Sequence, residues 1–100
     1  MNDIKNKLTE FIKKHEGLRF KPYKDIVGKW TVFYGRNISD VPTTTDELLA
    51  LLKQDNLQNV ADQFLRNDIE TATSACQLIF PNLYDYTDAR QIALISIMFN

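Results

Sequence analysis

The segment from Leu18 to Asn37 decides what this chain can fold into. It interleaves Phe20, Tyr23, Trp30, Val32, Phe33 and Tyr34 with Thr31, and Pro22, Gly28 and Gly35 punctuate it. Aromatic and β-branched side chains fit a pleated surface, whereas proline and glycine interrupt a helix. The segment therefore predicts short antiparallel strands joined by turns. Before it, Ile4, Leu8, Phe11 and Ile12 recur at helical spacing among lysines and polar residues. That pattern predicts an amphipathic helix ending near His15-Glu16, with Gly17 as the stop. Helix, small β region and then further helices make the class α+β.

After the β region, Thr44-x-x-Glu47 has the form of a capping box, in which each residue satisfies an orphan backbone donor of the other. Leu48, Leu49, Leu51 and Leu52 are the expected buried side of the short helix it opens, and Asp55-Asn56 is expected to break that helix. A longer helix is predicted from Leu57 to Leu78. Its apolar face collects Leu57, Val60, Ala61, Phe64, Leu65, Ile69, Ala72, Ala75 and Cys76. Asp68 falls near the middle of that face, where a carboxylate needs water or a partner. A solvated gap, an ion pair with the β region and a catalytic role all fit its position. Pro81-Asn82 breaks the chain again. Asp88, with Gln91 three residues on, predicts the cap of a last helix, whose run from Ile92 to Phe99 is apolar almost all round.

One hundred residues suit a single small domain, and no repeat or linker divides them. A net charge of −1 excludes a nucleic-acid binder that relies on a broad basic field. Cys76 is the lone cysteine, which fits a reducing compartment, and it reads as a small buried apolar residue. Met1 to Lys14 holds no signal-peptide core, and no apolar run approaches the roughly 20 residues of a membrane span. The expectation is a protein made in a cytoplasm, without membrane insertion.

Three side chains in the β region and its approach bear on chemistry. Glu16 sits at a helix C-terminus, where the negative end of the dipole favours a protonated carboxyl, the state a general acid needs. Asp25 and Thr31 follow among turn and strand residues. Singly, each has an ordinary reading: Glu16 as surface, Asp25 as a turn residue, Thr31 as a strand residue. His15 is an acid or base by type only, on a helix end where histidines are commonly solvated. Jointly they say more, since two carboxylates either side of a bond are the minimum equipment for cleaving a glycoside.

The order of these residues is more specific. Glu16-Gly17-Leu18-Arg19 to Tyr23-Lys24-Asp25, then Gly28-Lys29-Trp30-Thr31-Val32 and Tyr34-Gly35-Arg36-Asn37, resembles the phage T4-type lysozymes, the endolysin family of glycoside hydrolases. Asn67-Asp68-Ile69-Glu70 is similar to that family's interdomain helix, and Asp88 to Leu94 with Met98-Phe99-Asn100 to its first buried C-lobe helix. The resemblance spans nearly the whole chain, and is looser from 40 to 60.

The resemblance implies a lysozyme-like fold over residues 1–100: an N-terminal helix, a small antiparallel β region, a long connecting helix and the start of a helical C-terminal lobe. It implies Glu16 as general acid, Asp25 as the carboxylate that activates the attacking water or steadies the transition state, and Thr31 as the hydroxyl that positions that water. The family inverts configuration, so a water must fit beside Asp25 and Thr31. The substrate would be peptidoglycan, cut between N-acetylmuramic acid and N-acetylglucosamine after release from the host cytoplasm. No metal or cofactor is implied. Arg36 matches a basic partner for the helix carboxylate, here Asp68.

Two departures from the family pattern carry consequences. Phe33 stands where the family has a glycine, and is expected either to enter the cleft as an obstruction or to shift the hairpin. The chain also ends at Phe99-Asn100, where the family continues through the rest of its C-terminal lobe. The Ile92–Phe99 helix would then expose an apolar patch that invites a homodimer or a protein partner. Two functions follow: a truncated muramidase, or a lysozyme-derived protein that binds a host or phage protein without turnover.

Overall fold

The computed structural model describes residues 2–53 and 56–99. Its elements run α1 (Asn2–Glu16), β1 (Arg19–Lys24), β2 (Trp30–Phe33), β3 (Arg36–Asn37), α2 (Thr45–Lys53), α3 (Leu57–Ile79), a 3-10 turn (Leu83–Asp85) and α4 (Asp88–Phe99). This is the α+β, lysozyme-like arrangement that the sequence predicts. Asn56 precedes α3, and Asp55, the other half of the expected break, lies outside the described residues. The chain divides into two compact units, residues 16–65 and residues 1–15 with 66–100.

The first unit is built on the sheet, in the order β1-β2-β3, both pairings antiparallel. Gly17 takes φ +70° and ends α1 in the left-handed form that glycine adopts without penalty. In the β1–β2 pairing, Arg19 faces Phe33 and Tyr23 faces Thr31, with an irregularity between Arg19 and Tyr23. Pro22 lies in that interval, and a proline cannot donate to a ladder. Val32, Phe33 and Tyr34 are buried in this unit together with Val60, Ala61, Phe64 and Leu65 from the start of α3. Tyr34 keeps a polar handle: its hydroxyl accepts from Gln58 Nε2 at 3.0 Å.

The capping box at α2 forms as predicted. Thr44 N donates to Glu47 Oε1 at 2.9 Å, and Glu47 N donates to Thr44 Oγ1 at 3.2 Å. The expected buried face does not. Leu48, Leu49 and Leu52 are 51%, 53% and 79% exposed, Leu51 is half-buried, and Glu47 is the fully buried residue of the helix. The cause is which residue turns inward. With Glu47 inward, at about 100° per residue Leu51 falls about 40° from it, while Leu48, Leu52 and Leu49 fall about 100°, 140° and 160° away. The ion pair described below sets this rotation, and the leucines follow it outward.

The second unit packs Leu8 and Ile12 of α1, Ile69, Ala72 and Cys76 of α3, Leu83, and Ile95 of α4. Lys7 pairs with Asp88 at 3.1 Å, and Lys5 lies 3.7 Å from Glu70, both at the surface. The cap of α4 is Thr87 rather than the expected Asp88. Thr87 Oγ1 accepts from Arg90 N at 3.3 Å, and its carbonyl accepts from Gln91 N at 2.9 Å. Gln91 is buried and donates to the Tyr86 carbonyl at 2.8 Å, which locks the frame one residue earlier. Within α4, Ile95 is buried and Ile97 is 68% exposed, with Ile92, Leu94, Met98 and Phe99 half-buried.

Cys76 is fully buried, and desolvation pushes its thiol above its ordinary value. A raised value keeps the thiol protonated and inert in the folded state, while the unfolded chain ionises first as pH rises through about 9. An aromatic disulfide reagent at pH 8 should therefore label Cys76 only as fast as the unit opens, and about stoichiometrically in urea. Rapid labelling of the native protein would contradict this burial.

Candidate active site

Glu16 closes α1 and is half-buried. Its carboxylate lies against the β2–β3 turn at Gly35, and a Cβ added to Gly35 would overlap Glu16 Oε1. Gly35 also has φ +77°. Two independent constraints, conformation and space, thus require glycine where the turn seats the carboxylate.

Asp25 begins the turn from β1 to β2. Its Oδ1 accepts from Val27 N at 3.0 Å and from Lys29 N at 2.9 Å, an Asx-type arrangement that closes the turn. Asp25 N in turn donates to the Lys29 carbonyl at 2.9 Å. Thr31 is 4% exposed, and its hydroxyl donates to the same Lys29 carbonyl at 3.1 Å. The Lys29 residue therefore ties Asp25 and Thr31 together from both sides of its backbone. Its side chain does a separate task, pairing with Asp40 at 2.9 Å. That hydrogen bond, with one from Asn37, holds the Asp40 carboxyl below its usual range.

All three residues singled out in the sequence thus belong to one frame. Asp25 and Thr31 share the first hairpin of the sheet, and Glu16 meets the second. Among the described residues, no group of three or more His, Cys, Asp or Glu side chains is placed to hold a metal ion. His15 is exposed, and its ring tilts against Phe11 at 4.7 Å.

Next to Gly35 on β3 stands Arg36, which pairs with Val32 across the sheet. Its guanidinium grips Glu47 through both ends, Nη1 to Oε2 at 2.7 Å and Nη2 to Oε1 at 3.1 Å, and Nη2 also donates to the Pro42 carbonyl at 3.1 Å. Arg36 is 5% exposed and Glu47 0%. The guanidinium carbon lies 4.9 Å from the centre of the Phe64 ring, so the cation is enclosed by an anion, a carbonyl and a π face. Glu47 is the residue that sequence reasoning missed as a partner. The capping box accounts for it as a partner of a backbone donor, and nothing local ties it to a residue eleven positions earlier. Asp68, the partner implied for Arg36, is half-buried on α3 in the other unit.

Phe33, the expected obstruction, has its ring inside the first unit. It is 4% exposed and meets Phe64 edge to face at 5.1 Å. Its backbone takes φ +57°, the left-handed form in which a bulky residue is an outlier. The position keeps a glycine's conformation under a phenylalanine side chain. Left-handed backbone costs roughly 1–2 kcal/mol, whereas truncating a buried phenylalanine costs about 3–5 kcal/mol. Burial wins, so Phe33→Gly should lower stability by about 1–4 kcal/mol rather than relieve the fold. Urea unfolding checks the sign, and a more stable variant would show that the strain dominates.

A sequence profile of the phage lysozyme family matches residues 13–100. An endolysin from Acyrthosiphon pisum secondary endosymbiont phage 1 is 35% identical over 106 aligned positions, covering 97% of this chain and 58% of the relative. A protein named SAR-endolysin from bacteriophage PS34 is 43% identical over 65 positions, covering 58% of this chain and 38% of the relative. The chain thus spans a little over half the length of the first of these and less of the second. The profile takes in the whole frame that seats Glu16, Asp25 and Thr31, and the chain belongs to the phage lysozyme family.

Proposed function

We propose that the chain is a peptidoglycan hydrolase of the lysozyme type, cutting the β-1,4 bond between N-acetylmuramic acid and N-acetylglucosamine. The observation that carries this reading is the shared frame: Asp25 and Thr31 are tied to one residue, Lys29, while Glu16 is seated on Gly35. Such a frame supplies what an inverting glycosidase needs, an acid and a separate carboxylate held with a hydroxyl for water. Glu16 acts as the acid and protonates the departing glycosidic oxygen. Asp25 has Oδ1 committed to the turn, so Oδ2 is the oxygen that receives the water proton. Thr31, whose hydroxyl proton points to the Lys29 carbonyl, offers its lone pairs to that water as an acceptor.

The reading requires no metal or cofactor for any step. The names of the two relatives support it at the level of the family, and they belong to longer proteins. The test is clearance of purified peptidoglycan by the wild type beside Glu16→Gln. Release of reducing ends by the wild type supports the reading, and wild-type inactivity on intact and solubilised substrate overturns it.

The burial of the Phe33 ring favours turnover over the alternative of a binding protein disarmed at that position. What favours the alternative is Ile97, exposed on α4.

A further inference from the structure

We propose that the β1–β2 hairpin docks on an anionic lipid surface, inserting its tip into the headgroup boundary. The tip is Ile26-Val27, where Ile26 is 104% and Val27 76% exposed. Two adjacent aliphatic side chains at a turn have no folding reason to be there, since a turn prefers small and polar residues. Around them, residues 18–30 carry Arg19, Lys21, Lys24 and Lys29 against the single carboxylate of Asp25. Asp25 is itself turned toward two backbone N–H groups, and Lys29 is shared with Asp40, which leaves Arg19, Lys21 and Lys24 as the outward positive charge. Phe20 is 46% and Trp30 47% exposed, and Lys24 Nζ stands 5.4 Å from the Trp30 ring centre.

A simpler account covers part of this. β1 is an edge strand, almost wholly exposed, and lysines with a proline are the usual protection of such an edge against pairing with another chain. That explains Lys21, Pro22 and Lys24. It does not explain why the exposed turn residues are isoleucine and valine. An exposed aliphatic tip flanked along its strands by an indole, a phenyl and cations, with Lys24 opposite Trp30, is the set of groups that a membrane interface selects. The chain as a whole carries −1, so attraction depends on the local patch, which acts within about 10 Å at ordinary salt. The proposal does not depend on the catalytic reading.

Trp30 is the one tryptophan of the chain, so its emission reports the hairpin directly. With vesicles of phosphatidylglycerol, sedimentation should carry the protein down, and Trp30 emission should shift to the blue and be quenched by brominated acyl chains. Phosphatidylcholine vesicles should do neither. Lys21→Gln with Lys24→Gln should weaken binding about 25-fold, roughly fivefold per charge. Ile26→Ser with Val27→Ser should weaken it at least about tenfold, at unchanged circular dichroism. No binding to phosphatidylglycerol at low salt, or binding without quenching of Trp30, would overturn the proposal. Binding to soluble glycan fragments that the Ile26/Val27 variant abolishes, with no lipid binding, would also overturn it and make the tip a substrate contact.

Discussion

Glu16→Gln is expected to lower the rate of peptidoglycan cleavage by about 10²–10⁴-fold, the usual contribution of a positioned general acid. Glutamine has nearly the shape of glutamic acid, so the variant should keep its seat against Gly35 and its stability. It cannot give up a proton to a leaving oxygen. The measurement is reducing-end release on solubilised glycan, with urea unfolding as the control. Should the variant clear peptidoglycan at the wild-type rate, Glu16 is not the acid, and the family assignment of its role fails for this chain. Should it lose stability as well as rate, the carboxylate is also structural, and a Glu16→Asp variant separates the roles. Aspartate keeps the proton but falls about one methylene short, and displacements of about 1 Å cost on the order of a hundredfold.

The largest effect on stability is expected at Glu47. Removing it leaves Arg36 charged, 5% exposed and without its bidentate partner. Breaking one side of a buried pair typically costs about 3–5 kcal/mol, a large part of the roughly 5–15 kcal/mol that holds a domain folded. Glu47→Ala also loses the capping box. Glu47→Gln keeps the volume, a side chain that can still close the box and an oxygen that can accept from Arg36, so it should be less destabilising than Glu47→Ala. The informative third variant is the double replacement Arg36→Met with Glu47→Leu. A buried ion pair exchanged whole for apolar groups is often neutral or stabilising, so this protein should be less stable than the wild type only by about the 1 kcal/mol of the cap that leucine cannot close. If it is as unstable as Glu47→Ala, the pair contributes more than its own desolvation, and the hydrogen bond to the Pro42 carbonyl is a leading suspect.

The two variants also probe how far sequence can be read. The end of α1 at Gly17, the strands about Gly28 and Gly35, and the Thr44–Glu47 box were legible because each rests on a local rule of backbone or capping. The rotation of α2 was not. Four leucines announce an apolar side, but the helix turns to satisfy a cation contributed by β3, and periodicity carries no record of that. The frame of α4 failed for a smaller reason. Thr87 and Asp88 are adjacent and both able to cap, and the choice depends on where the buried Gln91 amide finds a carbonyl. At the site, Glu16, Asp25 and Thr31 could be named from their order in the chain. What could not be named was their support: a glycine whose missing Cβ makes room for Glu16, and a backbone residue that joins the other two. Phe33 shows the same limit, since its replacement of a glycine was visible but the direction of its ring depends on Phe64, thirty-one residues further along the chain.

The double tether at Lys29 has a consequence for how this hairpin tolerates change. Because the bonds between Asp25 and Lys29 span the turn itself, a lengthened or shortened turn would break the tether of Asp25 and leave Thr31, two residues beyond Lys29, on its own bond to the Lys29 carbonyl. Asp25 would then move relative to Thr31, whereas Glu16, seated on a different turn, would keep its place. The length of this turn is therefore fixed by the Asp25 carboxylate that closes it, and under the proposed reading an insertion between Asp25 and Lys29 should cost activity before it costs stability.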